Sequence, residues 1–195
     1  MLSQKQHKPN APWPDSALVV FLIGLDVAAR LLLHTPNVSP VAASALFAGI
    51  MLRRRSLAPA VPLAAMLIGD AVTGFYDWRV MAVVYAALTL PALAGILARR
   101  FRAVRVVVPA LLACSLIFFA ASNFAVWAFS GMYSADLTGL LQCYAAALPF
   151  LKNTIAGDLL WAAALFGGAT LVRRLTACHA AAEPAPTAGA KSGAL

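Results

Sequence analysis

VVVPALLACSLIFFAASNFAVWAF, residues 106–129, holds no Asp, Glu, Lys or Arg along its whole length. As an α-helix it covers about 36 Å at 1.5 Å per residue, more than the ~30 Å hydrocarbon core of a bilayer. Five flanking stretches have the same character: 16–33, 38–52, 57–75, 80–98 and 150–172. The second is the shortest, a candidate for a re-entrant or tilted segment. The whole 195-residue chain is 62% hydrophobic and 11% charged, with mean hydropathy +0.82. A soluble domain of that length has too little interior for so much apolar surface, so lipid is the expected solvent.

A seventh apolar stretch, LTGLLQCYAAAL at 137–148, is too short to span. It reads as an interfacial helix over one mouth of the bundle, ended by Pro149. Lys5 and Lys8 precede the first apolar run, but Asp26 and Arg30 interrupt it. That pattern fits a retained first helix better than a cleaved signal peptide. Residues 1–12 and 176–195 are expected to be disordered, leaving one transmembrane domain over 13–175.

The net charge of +8 comes from short clusters between apolar runs: Arg53, Arg54 and Arg55; Arg99, Arg100, Arg102 and Arg105; Arg173 and Arg174. Such clusters are topology determinants, and no RNA- or DNA-binding motif accompanies them, so no nucleic-acid partner is expected. The positive-inside rule places the clusters, Lys5, Lys8 and Lys191 in the cytoplasm. Arg79 and Lys152 are then left outside. The expected fold is an all-α membrane protein of six transmembrane helices with both termini cytoplasmic.

Polar groups share one depth in this threading. Counted from the outer helix ends at 1.5 Å per residue, Asp70 and Tyr85 lie ~7–8 Å down, Asn123 ~9 Å, Asp26 ~10 Å and Asp158 ~12 Å. Ionisable groups at such depth face a protein interior or a wet cavity. A pocket open to the outside, with Asp70 and Asp158 giving it negative character, is the functional expectation. Each residue also has a plainer use. Asp26 and Arg30, spaced i, i+4, are expected to neutralise each other. Asp70 either contacts ligand or pairs with Arg79, and Asn123 either lines the pocket or bonds between helices. Asn153 fits the N-cap of the sixth helix. Trp127 belongs in part to an interfacial aromatic belt, while the deeper Trp161 is placed to stack on a ligand.

Cys114, Cys143 and Cys178 have no metal-site spacing. Cys114 reads as a buried hydrophobe, and Cys143 is placed to reach an external pocket. There is no G-x-S-x-G, P-loop or H-E-x-x-H, so neither an enzyme nor a cofactor is expected. Any energy for transport must then come from a gradient or a partner.

Four strings carry a family resemblance: PNVSPVAASALFAG (36–49), VPLAAMLIGDAVTGFYDW (61–78), SNFAVW (122–127) and GLLQCYAAALPFLKNTIAGDLL (139–160). Together they resemble a bacterial integral-membrane family classed as a domain of unknown function. That family is similar to the S components of energy-coupling factor (ECF) vitamin transporters. The resemblance implies a six-helix bundle in the bacterial inner membrane, with a ligand pocket near the outer face. It also implies release inward with a transmembrane scaffold and two ATPases as partners. The strings also contain Asn37, Tyr76 and Tyr144, of which Asn37 and Tyr144 join the candidate positions. The candidate substrate-binding set is thus Asn37, Asp70, Tyr85, Asn123, Trp127, Cys143, Tyr144, Asn153, Asp158 and Trp161. The leading expectation is a substrate-binding or uptake subunit for a small, vitamin-like or cationic molecule. The alternative is a structural or assembly protein whose intramembrane polar groups only hold helices together.

Overall fold

The computed structural model describes residues 14–33, 35, 37–101 and 104–182. The N-terminal twelve residues and the tail beyond Ala182, both expected to be disordered, lie outside the described residues, as does His34. Among the described residues all regular structure is helical. The elements are α1 (Asp15–Leu32), α2 (Val41–Met51), α3 (Ala60–Thr73), α4 (Trp78–Ala98), α5 (Val104–Phe129) and α6 (Leu137–Ala182), with a 3-10 turn at Arg55–Leu57 before α3.

Polarity is inverted relative to a water-soluble protein. Large apolar side chains such as Phe21, Leu67, Leu97, Ile117 and Leu160 face outward, while Asp26, Ser44, Asp70, Ser115 and Asp158 are buried. Lipid on the outside explains both, because hydrocarbon accepts the first set and excludes the second. Four segments are long and apolar enough to cross a membrane: Arg55–Thr73, Trp78–Ala98, Arg105–Phe129 and Leu137–Cys178. The 18-residue α1 carries Asp15, Asp26 and Arg30, and α2 has 11 residues.

The basic clusters gather at one end of the bundle. There the carboxylate of Asp15 accepts the backbone N–H groups of Arg53 and Arg54 at 3.1 and 2.9 Å. Arg173 reaches Met51 Sδ at 3.3 Å at the same end. At the far end Arg79 sits over the Phe129 ring, 5.1 Å from its centroid.

α2 is the hub. Every residue from Val41 to Ile50 is buried, against α4 and α6 most closely and with α1, α3 and α5 also in contact. Its small residues make this possible. A Cβ on Gly49 would stand 2.3 Å from the Ala92 carbonyl oxygen, and one on Gly95 would stand 2.3 Å from that of Leu46. The two glycines therefore let α2 and α4 cross with their backbones in contact. Yet α2 is only ~16 Å long, about half the hydrocarbon thickness. The expected second span over 38–52 is helical only from Val41 to Met51. The chain before it, through Asn37 to Pro40, reaches back into the bundle without helix.

α6 departs most from expectation. The interfacial helix expected over 137–148 and the span expected over 150–172 are one continuous 46-residue helix. Pro149 deletes one donor, but the Ala- and Leu-rich runs on both sides keep helical propensity across it. Asn153 is therefore an interior helical residue and not an N-cap. The helix also runs past the expected tail boundary to Ala182. Its first three turns stand against α5 as a hairpin: Tyr144 Oη donates to the Ala120 carbonyl at 2.6 Å, and Cys143 Sγ to that of Asn123 at 3.4 Å. Asp136 caps this start by accepting the Gly139 N–H at 2.7 Å.

Candidate functional site: a polar cavity above the short helix

Because α2 stops halfway, the central position of the bundle is left unfilled toward the far end. A cavity of about 340 Å³ occupies it, walled by α1, α3, α4, α5 and α6 and floored by residues 37–42. Gly157 lets the floor approach α6, since a Cβ there would meet Val38 Cα at 3.1 Å. Asn37 holds the left-handed backbone of the re-entrant turn at φ 59°.

Asp158 is the acidic group of the cavity. It is 3% exposed, lines the wall, and accepts from Ser115 Oγ at 2.6 Å. Among the described residues no basic side chain pairs with it. Arg30 lines the same cavity. Measured along their helices, Arg30 stands ~22 Å from Asp15 and Asp158 ~22 Å from Arg173, so the two occupy one level above the basic end.

Arg30 does not neutralise Asp26, as its i, i+4 spacing suggested. It crosses to α3 and pairs with Asp70, passing over Gly69, where a Cβ would stand 2.7 Å from Arg30 Cδ. Asp26, one turn below, instead accepts from Ser44 Oγ of α2 at 2.6 Å, and its Oδ1 has no partner. The Asp70 carboxylate is fully buried and also accepts from Tyr85 Oη at 2.6 Å. Asp70 and Tyr85 thus stand behind Arg30 and do not line the cavity. Arg79, the other partner considered for Asp70, pairs with Asp77 at 3.2 Å.

Of the candidate residues, the structure brings Asn37 and Asp158 to the cavity. Asn123, Trp127, Cys143 and Tyr144 lie together in the α5–α6 hairpin. Asn123 Nδ2 donates to the Phe119 carbonyl at 2.7 Å, and Trp127 Nε1 to that of Ser134 at 2.9 Å. Trp161 packs against the core below Asp158, its buried Nε1 without a partner. Asn153 is not on the wall, although its neighbour Thr154 is. Arg30, Ser115 and Cys114 also line the wall; from the sequence, Arg30 and Cys114 have structural roles, as the partner of Asp26 and as a buried hydrophobe, and Ser115 has none. Ser115 carried the available signal, a hydroxyl in a long apolar run, but its partner lies 43 positions away. No cluster of three or more His, Cys, Asp or Glu side chains able to hold a metal occurs among the described residues.

The model of a family of unknown function, DUF6580, matches residues 10–182. The chain belongs to that family. No curated protein and no solved structure matches it. The DUF6580 match carries no link to the S components of ECF transporters. Any functional reading of this DUF6580 member therefore rests on the cavity itself.

Proposed function

We propose that this protein is a six-span inner-membrane subunit that binds a small water-soluble molecule in a cavity open to the outside, for uptake. The observation that carries the reading is Asp158: a buried carboxyl lining a cavity, with a hydroxyl for a partner and, among the described residues, no cation. A charged group in hydrocarbon is costly, and its persistence marks a site. The cavity's size falls at the low end for small-molecule pockets, which run ~300–1,000 Å³. With the arginine clusters on the cytoplasmic side, the cavity opens outward. α2 and the re-entrant chain before it then cross the bilayer together as the second span. A cationic or hydrogen-bond-donating group on the ligand answers Asp158. Since the chain has no P-loop, a gradient or an ATPase assembly of the ECF type supplies the energy.

The structural alternative draws support from the Arg30–Asp70–Tyr85 and Asp26–Ser44 contacts, which tie α1 to α3, α4 and α2. Asp158→Asn separates the two readings. A binding protein keeps its fold and loses its ligand, read by native mass spectrometry of gently purified protein and by uptake. A purely structural protein carries no ligand in either form, and its uptake phenotype is unchanged.

A further inference from the structure

The cavity has a second electrostatic pole that a simple cation does not use. Arg30 presents five N–H donors, and two are engaged: Nη2 with Asp70 and Nη1 with Met66 Sδ at 2.9 Å, a weak acceptor. The guanidinium is held in place by Asp70 from behind and by the open surface of Gly69 beneath, with a quarter of the side chain exposed. The floor adds to this pole. α2 starts after Pro40 with no side-chain cap, and its first intrahelical bond is Ser44 N–H to the Pro40 carbonyl at 2.7 Å. The N–H groups of Val41, Ala42 and Ala43 lie in that first turn, where a helix supplies no partner, and they carry the positive end of its dipole. Val41 and Ala42 line the cavity and are buried. Buried donors of this kind take an acceptor from ligand or water. Asp158 stands on a different wall, on α6.

Resting on the binding reading above, we propose that the ligand is a small zwitterion of amino-acid type, its carboxylate on Arg30 and the α2 N-terminus, its ammonium on Asp158. A purely anionic molecule meets the Asp158 carboxylate unpaired. A purely cationic one leaves the Arg30 donors and the first turn of α2 with water alone. A zwitterion satisfies both poles, and the cavity volume of about 340 Å³ admits a neutral amino acid with side chain.

The test is calorimetric titration of the full chain in nanodiscs with the neutral L-amino acids, their α-amides and their N-acetyl forms. At least one free amino acid binds. Its amide and its N-acetyl derivative each bind about tenfold to hundredfold more weakly, the weight of a lost charge-assisted hydrogen bond. Arg30→Gln removes the preference for acid over amide, and Asp158→Asn removes the preference for amine over N-acetyl. The wild-type series decides the matter alone if a variant fails to fold. An amide that binds as tightly as its acid overturns the zwitterion and leaves the binding reading intact. Failure of every probe overturns the zwitterion as well, and the binding reading then falls only if native mass spectrometry also finds no retained ligand.

Discussion

Arg30→Met removes the positive half of an ion pair whose negative half, Asp70, is fully enclosed. The Tyr85 hydroxyl at 2.6 Å remains, but one neutral donor does not replace a guanidinium. Breaking a buried pair from the side that strands a buried charge costs ~3–5 kcal/mol. Asp70→Asn strands the other partner, and the consequence differs. Arg30 has a quarter of its side chain open to the cavity, so water takes over its donors, and the cost is nearer that of one charge-assisted bond, ~1.5–3 kcal/mol. The double variant Arg30→Met with Asp70→Leu leaves no charge behind and recovers most of the loss, since apolar replacement of a buried pair is often neutral. The assay is reversible unfolding in mixed micelles by SDS titration, followed by tryptophan fluorescence. Arg30→Met costing less than about 1 kcal/mol, or a double variant as unstable as Arg30→Met and a single Asp70→Leu added together, refutes the pairing.

Gly49→Ala and Gly95→Ala each force a methyl to 2.3 Å from a facing carbonyl oxygen, so each lowers stability by ~1–3 kcal/mol or more in the same unfolding assay. Gly69→Ala meets the Arg30 side chain at 2.7 Å; the protein folds, Arg30 is displaced, and titration shows weakened ligand binding with a smaller change in unfolding. Ser44→Ala deprives the buried Asp26 of its hydroxyl donor and costs ~1–3 kcal/mol on unfolding. In the far-end loop, the Gly139 N–H and the Ser134 hydroxyl hold the Asp136 carboxyl below its ordinary value of 3.8. A depressed carboxylate contributes stability in full above that value and loses it as pH falls through the lower folded value. The protection factors of the amides at 137–141, taken against the intrinsic exchange rate at each pH, therefore fall as the medium is acidified through that range, and Asp136→Ala shows the lowered protection already at neutral pH.

Where helices run was legible because lipid-facing helices need long uncharged stretches, and residues 106–129 and 80–98 supply them. The shortness of α2 was legible for the same reason. The continuity of α6 was not, since Pro149 weakens a helix locally while neighbouring packing decides whether it breaks. The site was half legible. Counting residues along a helix gives depth, and Asp158 and the Asp70 region share one, whereas Asn37, in the non-helical chain before α2, comes only from the family resemblance. It does not give the angle around the bundle axis, and that angle sends Asn123, Trp127, Cys143 and Tyr144 to the α5–α6 hairpin. The Asp26–Arg30 spacing misled because local proximity lost to tertiary partners: Ser44 for the acid, and for the base the carboxylate of Asp70 beyond the bare backbone of Gly69.

Uptake as proposed requires a water-filled cavity above α2 that opens on the side opposite the arginine clusters. Asn37→Cys, placed on its floor in a background of Cys114→Ala, Cys143→Ala and Cys178→Ala, tests it with a membrane-impermeant thiol reagent on intact spheroplasts, and Arg54→Cys is the control for the opposite side. Asn37→Cys is expected to react in intact cells and Arg54→Cys only after permeabilisation. Protection of Asn37→Cys until the membrane is opened, or until the protein is denatured, contradicts it.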